Sequence, residues 1–227
     1  MKKYIPLFCI VICGFWACEK NETTEAVYLG TNYYPSQVGY ELIYDVDSII
    51  KDKFTGLTDT FQYQIKERID SIYIDNEGRP TMRVERYKRN TSNEPWIIHR
   101  VWAANKSNTY VHRVEENIRY VKMIFSVLAN KKWDGNAFNT LGERIYRYQN
   151  AHTPGQVGTF NFDSTLTVLQ YEDTTLINKD SYIEKYATNV GMFYKENISI
   201  KYNFSPNPNY DTINEAVVYI ERLNSYQ

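Results

Sequence analysis

The chain has 227 residues, with 26 Lys and Arg against 27 Asp and Glu, a formal net charge of −1 and a mean hydropathy of −0.54. No basic run follows the first residues, which excludes the electrostatic footprint of a nucleic-acid binder. The length fits one large β domain or two small ones, with a core able to stand without covalent staples.

Residues 1–17 form the first element. Met1, Lys2 and Lys3 make a short basic start, and an apolar stretch from Tyr4 to Ala17 follows, interrupted by Pro6 and Gly14. About fourteen residues fall short of the roughly twenty that cross a bilayer. A basic start, an apolar middle and a small residue before the cut describe a secretory signal peptide, cleaved here between Ala17 and Cys18. The junction resembles the lipobox of bacterial lipoproteins, with Phe15 and Trp16 where leucine and a small residue are usual. That resemblance implies diacylglycerol on the Cys18 thiol, cleavage, and acylation of the new N-terminus. Several acyl chains make such an anchor stable where a single chain is marginal. An ordinary secretory signal with a coincidental cysteine is the alternative.

Cys9, Cys13 and Cys18 all lie in this export region. The folded part is therefore expected to have no disulfide, no thiolate metal site and no cysteine nucleophile. Residues 19–36 open polar and acidic and lack a sustained period, so residues 18–36 are read as the lipidated cysteine and a flexible tether.

From residue 37 to 227 the pattern has period two, which predicts one antiparallel β domain. Val38, Tyr40, Leu42, Tyr44 and Val46 share a face against Gly39, Glu41, Asp45 and Asp47. "FQYQI" repeats the alternation, and "SIYIDNEGRPTMRVERY" reads as a hairpin around Asn76, Glu77, Gly78 and Arg79. Further runs are "WIIHRVWAA", "TYVHRV", "NIRYVKMIFSV", "TLTVLQY", "SYIEKYA" and "EAVVYIERL". Residues 114–129 also fit a helical spacing, but β-branched and aromatic residues in the second half favour a strand. In "MFYKENISIKY", Met192, Tyr194, Ile198, Ile200 and Tyr202 share a face against Phe193, Lys195, Asn197, Ser199 and Lys201. The 21 tyrosines fit a large half-buried sheet. About eleven strands on short turns predict a mainly β fold: a strongly curved sheet, sandwich or open barrel with at most a small helix. Charged opposite faces argue against a lipid-facing barrel.

"KKWDGNAFNT" holds a strong turn signal at Asp134, Gly135 and Asn136. With "YATNVGMFYKE" it resembles a family of Bacteroidetes lipoproteins, with Ser126 where that family commonly has proline. The resemblance implies location and fold and no catalytic role. Trp133, Asp134 and Asn136 are either a ligand-contacting loop or a turn whose tryptophan plugs the core.

His99 and His112 fall on neighbouring predicted strands and His152 in a loop, short of the three or four converging ligands of a zinc site. Asp45 and Asp47 are spaced like a glycosidase pair, a spacing shared with solvated strand faces. No phosphate loop, nucleophile elbow or zincin motif is present. Neither an enzyme nor a cofactor or metal is expected. Of the aspartates, those at 47, 59, 70, 163, 173, 180 and 211 precede Ser or Thr. Ser48, Ser71, Ser164, Thr174 and Thr212 resemble O-glycosylation acceptors of exported Bacteroidetes proteins. Asp-Ser and Asp-Thr pairs also favour turns and strand ends by bonding their own backbone. The sequence points to a lipoprotein of the outer membrane that binds an envelope protein, glycan or lipid, or helps assemble the envelope. The alternative is a lipid or lipoprotein carrier with an apolar pocket inside a curved sheet.

Overall fold

The computed structural model describes residues 28–203 and 213–227. Twelve strands run through them: β1 (Glu41–Lys51), β2 (Thr58–Ile74), β3 (Pro80–Arg89), β4 (Ile97–Lys106), β5 (Tyr110–Glu115), β6 (Ile118–Ile124), β7 (Lys132–Asp134), β8 (Ile145–Val157), β9 (Phe160–Thr174), β10 (Asn178–Ala187), β11 (Gly191–Tyr202) and β12 (Ile213–Tyr226). Each alternating run contributes to a strand because β-branched and aromatic side chains pack well on a pleated surface. The 118–124 segment is a strand, and no α-helix occurs among the described residues.

All pairings are antiparallel, in the order β6–β5–β4–β3–β2–β1–β12–β11–β10–β9–β8–β7. That order is the chain order read around a circle, so every strand lies beside its neighbour in sequence and β12 returns to pair β1. The two ends of the sheet, β6 and β7, meet at a seam. Val121 N–H donates to Gly135 O at 2.9 Å and Trp133 Nε1 to Val121 O at 2.8 Å. Tyr148 OH donates to Ile124 O at 2.8 Å and accepts from Ile124 N–H at 2.9 Å. The result is a nearly closed up-and-down barrel, an architecture that removes exposed strand edges.

Local chemistry sets the turns. In the β2–β3 hairpin Asp75 Oδ1 accepts from the backbone N–H groups of Glu77 and Arg79, each at 2.9 Å, and Gly78 takes a φ of 74°. An aspartate closing on the backbone two residues ahead is an Asx turn. The lumen is filled by Leu42, Tyr44, Val46, Ile65, Val84, Leu166, Val168, Tyr186 and their neighbours, all buried.

Three expectations need correction. Residues 28–36, read as the end of the tether, are a strap inserted into one end of the barrel. Tyr33 and Tyr34 are buried in the core, and a short 3₁₀ turn (Thr31–Tyr33) shapes the entry. Leu29 O accepts from Val127 N–H at 3.0 Å, and Asn32 O accepts from Asn189 N–H at 2.8 Å. The acidic start of the segment hid the aromatic pair that packs.

Second, the apolar stripe of β11 turns outward after residue 192. Met192 pairs with Tyr186, but Phe193 is an extra residue in the ladder, a bulge. Beyond it Lys195 pairs with the buried Glu184 and Glu221, while Ile198 and Ile200 fall on the opposite, outer face. Third, β8 was not foreseen. Asn150 and His152 adopt positive φ, and the β8–β9 register shifts twice between Gln149 and Gly155, which breaks the alternation.

Candidate functional site

The lumen contains a feature that the charge pattern did not disclose. Eight charged side chains point inward and form one chain of alternating sign: Lys195, Glu184, Lys122, Glu115, Arg113, Glu67, Arg86 and Glu221. Lys195 Nζ lies 3.6 Å from Glu184 Oε1, which also pairs with Lys122 Nζ. Lys122 Nζ is 3.4 Å from Glu115 Oε1, and Arg113 Nε reaches the same oxygen at 3.4 Å. Glu67 Oε1 lies between Arg113 Nη2 at 2.6 Å and Arg86 Nε at 3.0 Å, and Arg86 Nη2 pairs with Glu221. The four carboxylates balance the four cations.

Burial in a low-dielectric interior disfavours every one of these charges, and opposite charge within about 4–6 Å restores them. For Glu115, Glu184 and Glu221, burial pushes the carboxyl pKa up. Lys122, Lys195, Arg113 and Arg86 outweigh it, so all three lie below the usual range. For Arg86 and Lys122, burial acts first and the facing carboxylates again prevail, holding both above their ordinary values. Aromatic groups pack along the chain. Trp102 stacks under Arg86 at 4.2 Å and Arg113 at 4.5 Å, and Tyr186 OH donates to Glu184 Oε2 at 2.6 Å. Glu221 Oε2 has no hydrogen-bond partner among the described residues. The chain is a neutral plug across the lumen.

Trp133, Asp134 and Asn136 sit at the seam. Trp133 is buried against Tyr146 and Tyr148 at ring separations of 5.9 and 4.5 Å. Asp134 Oδ1 accepts from Asn136 N–H and Arg144 N–H, each at 2.9 Å, and Asn136 Nδ2 donates to Gly142 O at 2.8 Å. A Cβ on Gly135 would fall 2.3 Å from the Tyr146 ring, so only glycine fits there. These polar atoms are spent on the loop's own backbone, which is the work of a turn with a tryptophan plug.

The remaining predicted positions are dispersed. Ser48 is half-buried on β1 beside Phe61 and Tyr219, and Ser71 Oγ donates to Asp70 Oδ2 at 3.0 Å. Ser164 Oγ shares a 2.8 Å hydrogen bond with Tyr33 OH, and Thr174 is exposed. Cys18 and Thr212 lie outside the described residues. Asp45 accepts from Gln64 and Asn224, while Asp47 accepts from Gln62 and Arg222. The Gln62 hydrogen bond and then Arg222 hold the Asp47 carboxyl below its usual range, the reverse of what a general acid needs.

The histidines are separate. His112 is opposite Asn105, so His99 lies about 20 Å further along β4 at 3.3 Å per residue. His99 Nε2 accepts from Arg100 Nε at 3.1 Å, and His152 bridges Tyr33 OH and Val127 O. Among the described residues no group of three or more His, Cys, Asp or Glu is placed to hold a metal ion.

Two surfaces stand apart from this filled interior. The outer positions of β1 and β2 carry Asp45, Asp47, Gln62, Gln64, Lys66 and Arg68, and a shallow cleft of about 540 Å³ crosses β2–β5 beside Tyr73, Arg100 and Glu116. At the strap end, a depression of about 370 Å³ lies between the strap and the β2–β3 and β4–β5 hairpins.

No family model matches this chain, and no curated protein is similar to it. Among solved structures, a candidate lipoprotein from Parabacteroides distasonis is similar over 86% of this chain and 98% of its own, at 10% identity and a TM-score of 0.38.

Proposed function

We propose that this is a lipid-anchored protein of the outer membrane that binds or helps assemble envelope components through its outer surface, without catalysis. The observation that carries this reading is the filled lumen. Core side chains and the eight-membered ion chain occupy the space an acyl ligand would need. The cavity that reaches the chain between Tyr34, Tyr44, Glu67 and Arg113 measures about 30 Å³, the share of a single water. A carrier built on a curved sheet requires a continuous apolar pocket, and this interior is crossed by charge. Exposed aromatic and aliphatic residues beside polar loops, Phe54, Leu57, Phe138 and Leu176 among them, leave the exterior as the contact surface for a protein or glycan partner.

The anchor is tested in cells fed an alkyne analogue of palmitate. The wild-type chain should take up the label and partition with the outer membrane, and Cys18→Ser should lose both. Label retained by Cys18→Ser would reject the anchor. Protease added to intact cells then separates the two faces of the membrane: release of the barrel marks surface display, and protection marks the periplasmic leaflet.

A further inference from the structure

Lys106 departs from the rule that the other inward cations obey. Arg86, Arg113, Lys122 and Lys195 each face a carboxylate. Lys106, at the strap end of β4, directs Nζ to the backbone oxygen of Tyr34 and forms no ion pair among the described residues. Burial alone lowers its pKa, with no charged neighbour contributing. A half-buried ammonium held by a neutral carbonyl keeps both its positive charge and two N–H donors for another partner.

The surroundings of Lys106 are equally uncommitted. It lines the depression of about 370 Å³, which is within the size range of small-molecule sites. Thr31 and Ser36 enter from the strap and Asn108 from the β4–β5 turn. None of these three side chains has a hydrogen-bond partner among the described residues. Ile72 and Met82 supply an apolar wall. One cation, several neutral donors and a short apolar surface are complementary to a small monoanion with a hydrocarbon portion. A dianion such as phosphate would find only one countercharge.

We propose that this depression is a binding site for a small aliphatic carboxylate, with the ligand's carboxylate on Lys106 and its hydrocarbon portion against Ile72 and Met82. Because Thr31 and Ser36 belong to the strap, an occupant ties the strap to the barrel hairpins. The site is distinct from the outer surface assigned to partners and does not depend on the anchor.

The test titrates the full chain in lipid nanodiscs with hexanoate, its uncharged isostere hexanamide and inorganic phosphate, followed by calorimetry. Hexanoate should bind, with hexanamide weaker by about tenfold or more because the charge-assisted hydrogen bond is lost. Lys106→Met should lose hexanoate binding by a similar factor, and Asn108→Ala by a smaller one. Equal binding of hexanoate and hexanamide to the wild type would overturn the proposal without reliance on any variant. So would undiminished hexanoate binding to Lys106→Met, phosphate binding in preference to hexanoate, or no binding of hexanoate at 100 mM.

Discussion

Glu67 in the lumen and Asp47 on the outer face are both carboxylates in close polar company, yet their positions carry different energetics. Glu67 sits between Arg86 at 3.0 Å and Arg113 at 2.6 Å with 9% of its side chain exposed. Asp47 takes Gln62 at 2.9 Å and Arg222, with 34% of its side chain exposed. Bulk water screens the second and has little access to the first. Burying the charges of the lumen chain costs free energy that only the complete alternating set offsets. The outer pairs gain little and lose little. Contact distance does not decide the energy of a charge pair here; the alternative open to each partner when the other is removed does.

The strongest break in this comparison is Glu67→Gln, which leaves Arg86 and Arg113 buried with their shared countercharge gone. Chemical denaturation should show a loss of about 3–5 kcal/mol. Trp133→Ala tests the seam where inside meets outside. It removes a large buried side chain and the Val121 hydrogen bond, and should cost about 3–5 kcal/mol by the same measurement.

Acidification sharpens the contrast. His112 is stacked on Tyr110 at 3.9 Å and tilted against Phe138 at 4.7 Å on the outer side of β5. Burial first, then Arg119 and Arg79, lower its pKa to about 4 against the opposing effect of Glu77. A depressed histidine pKa means that the unfolded state takes up the proton first. Its stabilising contribution is whole above about pH 6.5 and is lost as the pH falls towards 4, by up to about 3 kcal/mol. His112→Phe should flatten the stability profile between pH 7 and 5. Below that window the depressed carboxyls of Glu115, Glu184 and Glu221 act. Their contribution is present above about pH 4.3 and is lost as the pH falls through their lower folded values. Tyr33→Phe removes the hydroxyl shared with Ser164 and His152 and should cost about 1 kcal/mol. The smallest effect belongs to the outer pair: Asp47→Ala and Arg222→Ala should each shift stability by less than about 1 kcal/mol.

Strand content was legible because alternation is a direct consequence of a sheet with one wet and one dry face. The Asp134–Asn136 turn was legible for a similar reason, since its residue types impose the backbone. The ion chain was not. Glu67, Arg113, Lys122, Glu184 and Glu221 lie at positions that composition assigns to a solvated face, because Lys, Glu and Arg are almost never buried unless paired. Apart from Glu115, which lies close in sequence to Arg113 and Lys122, their partners come from remote strands, up to 135 residues away in the Arg86–Glu221 pair, where no local window contains both. The same ambiguity reversed β11, where aliphatic residues lie outside and Lys195 inside. The strap's aromatic pair lacked any period, and its fit depends on barrel residues such as Val127, His152 and Ser164 that are remote in sequence.

A lumen closed to acyl lipid by its own side chains is the premise behind the outward-facing contact surface. Native mass spectrometry of the protein extracted from its own membranes tests this most directly. The predicted spectrum shows the barrel with acyl chains covalently attached at Cys18 and no bound lipid. A stoichiometric, non-covalent phospholipid or other long-chain lipid retained by the folded protein, too large for the strap-end depression, would contradict it and return the carrier reading to the front.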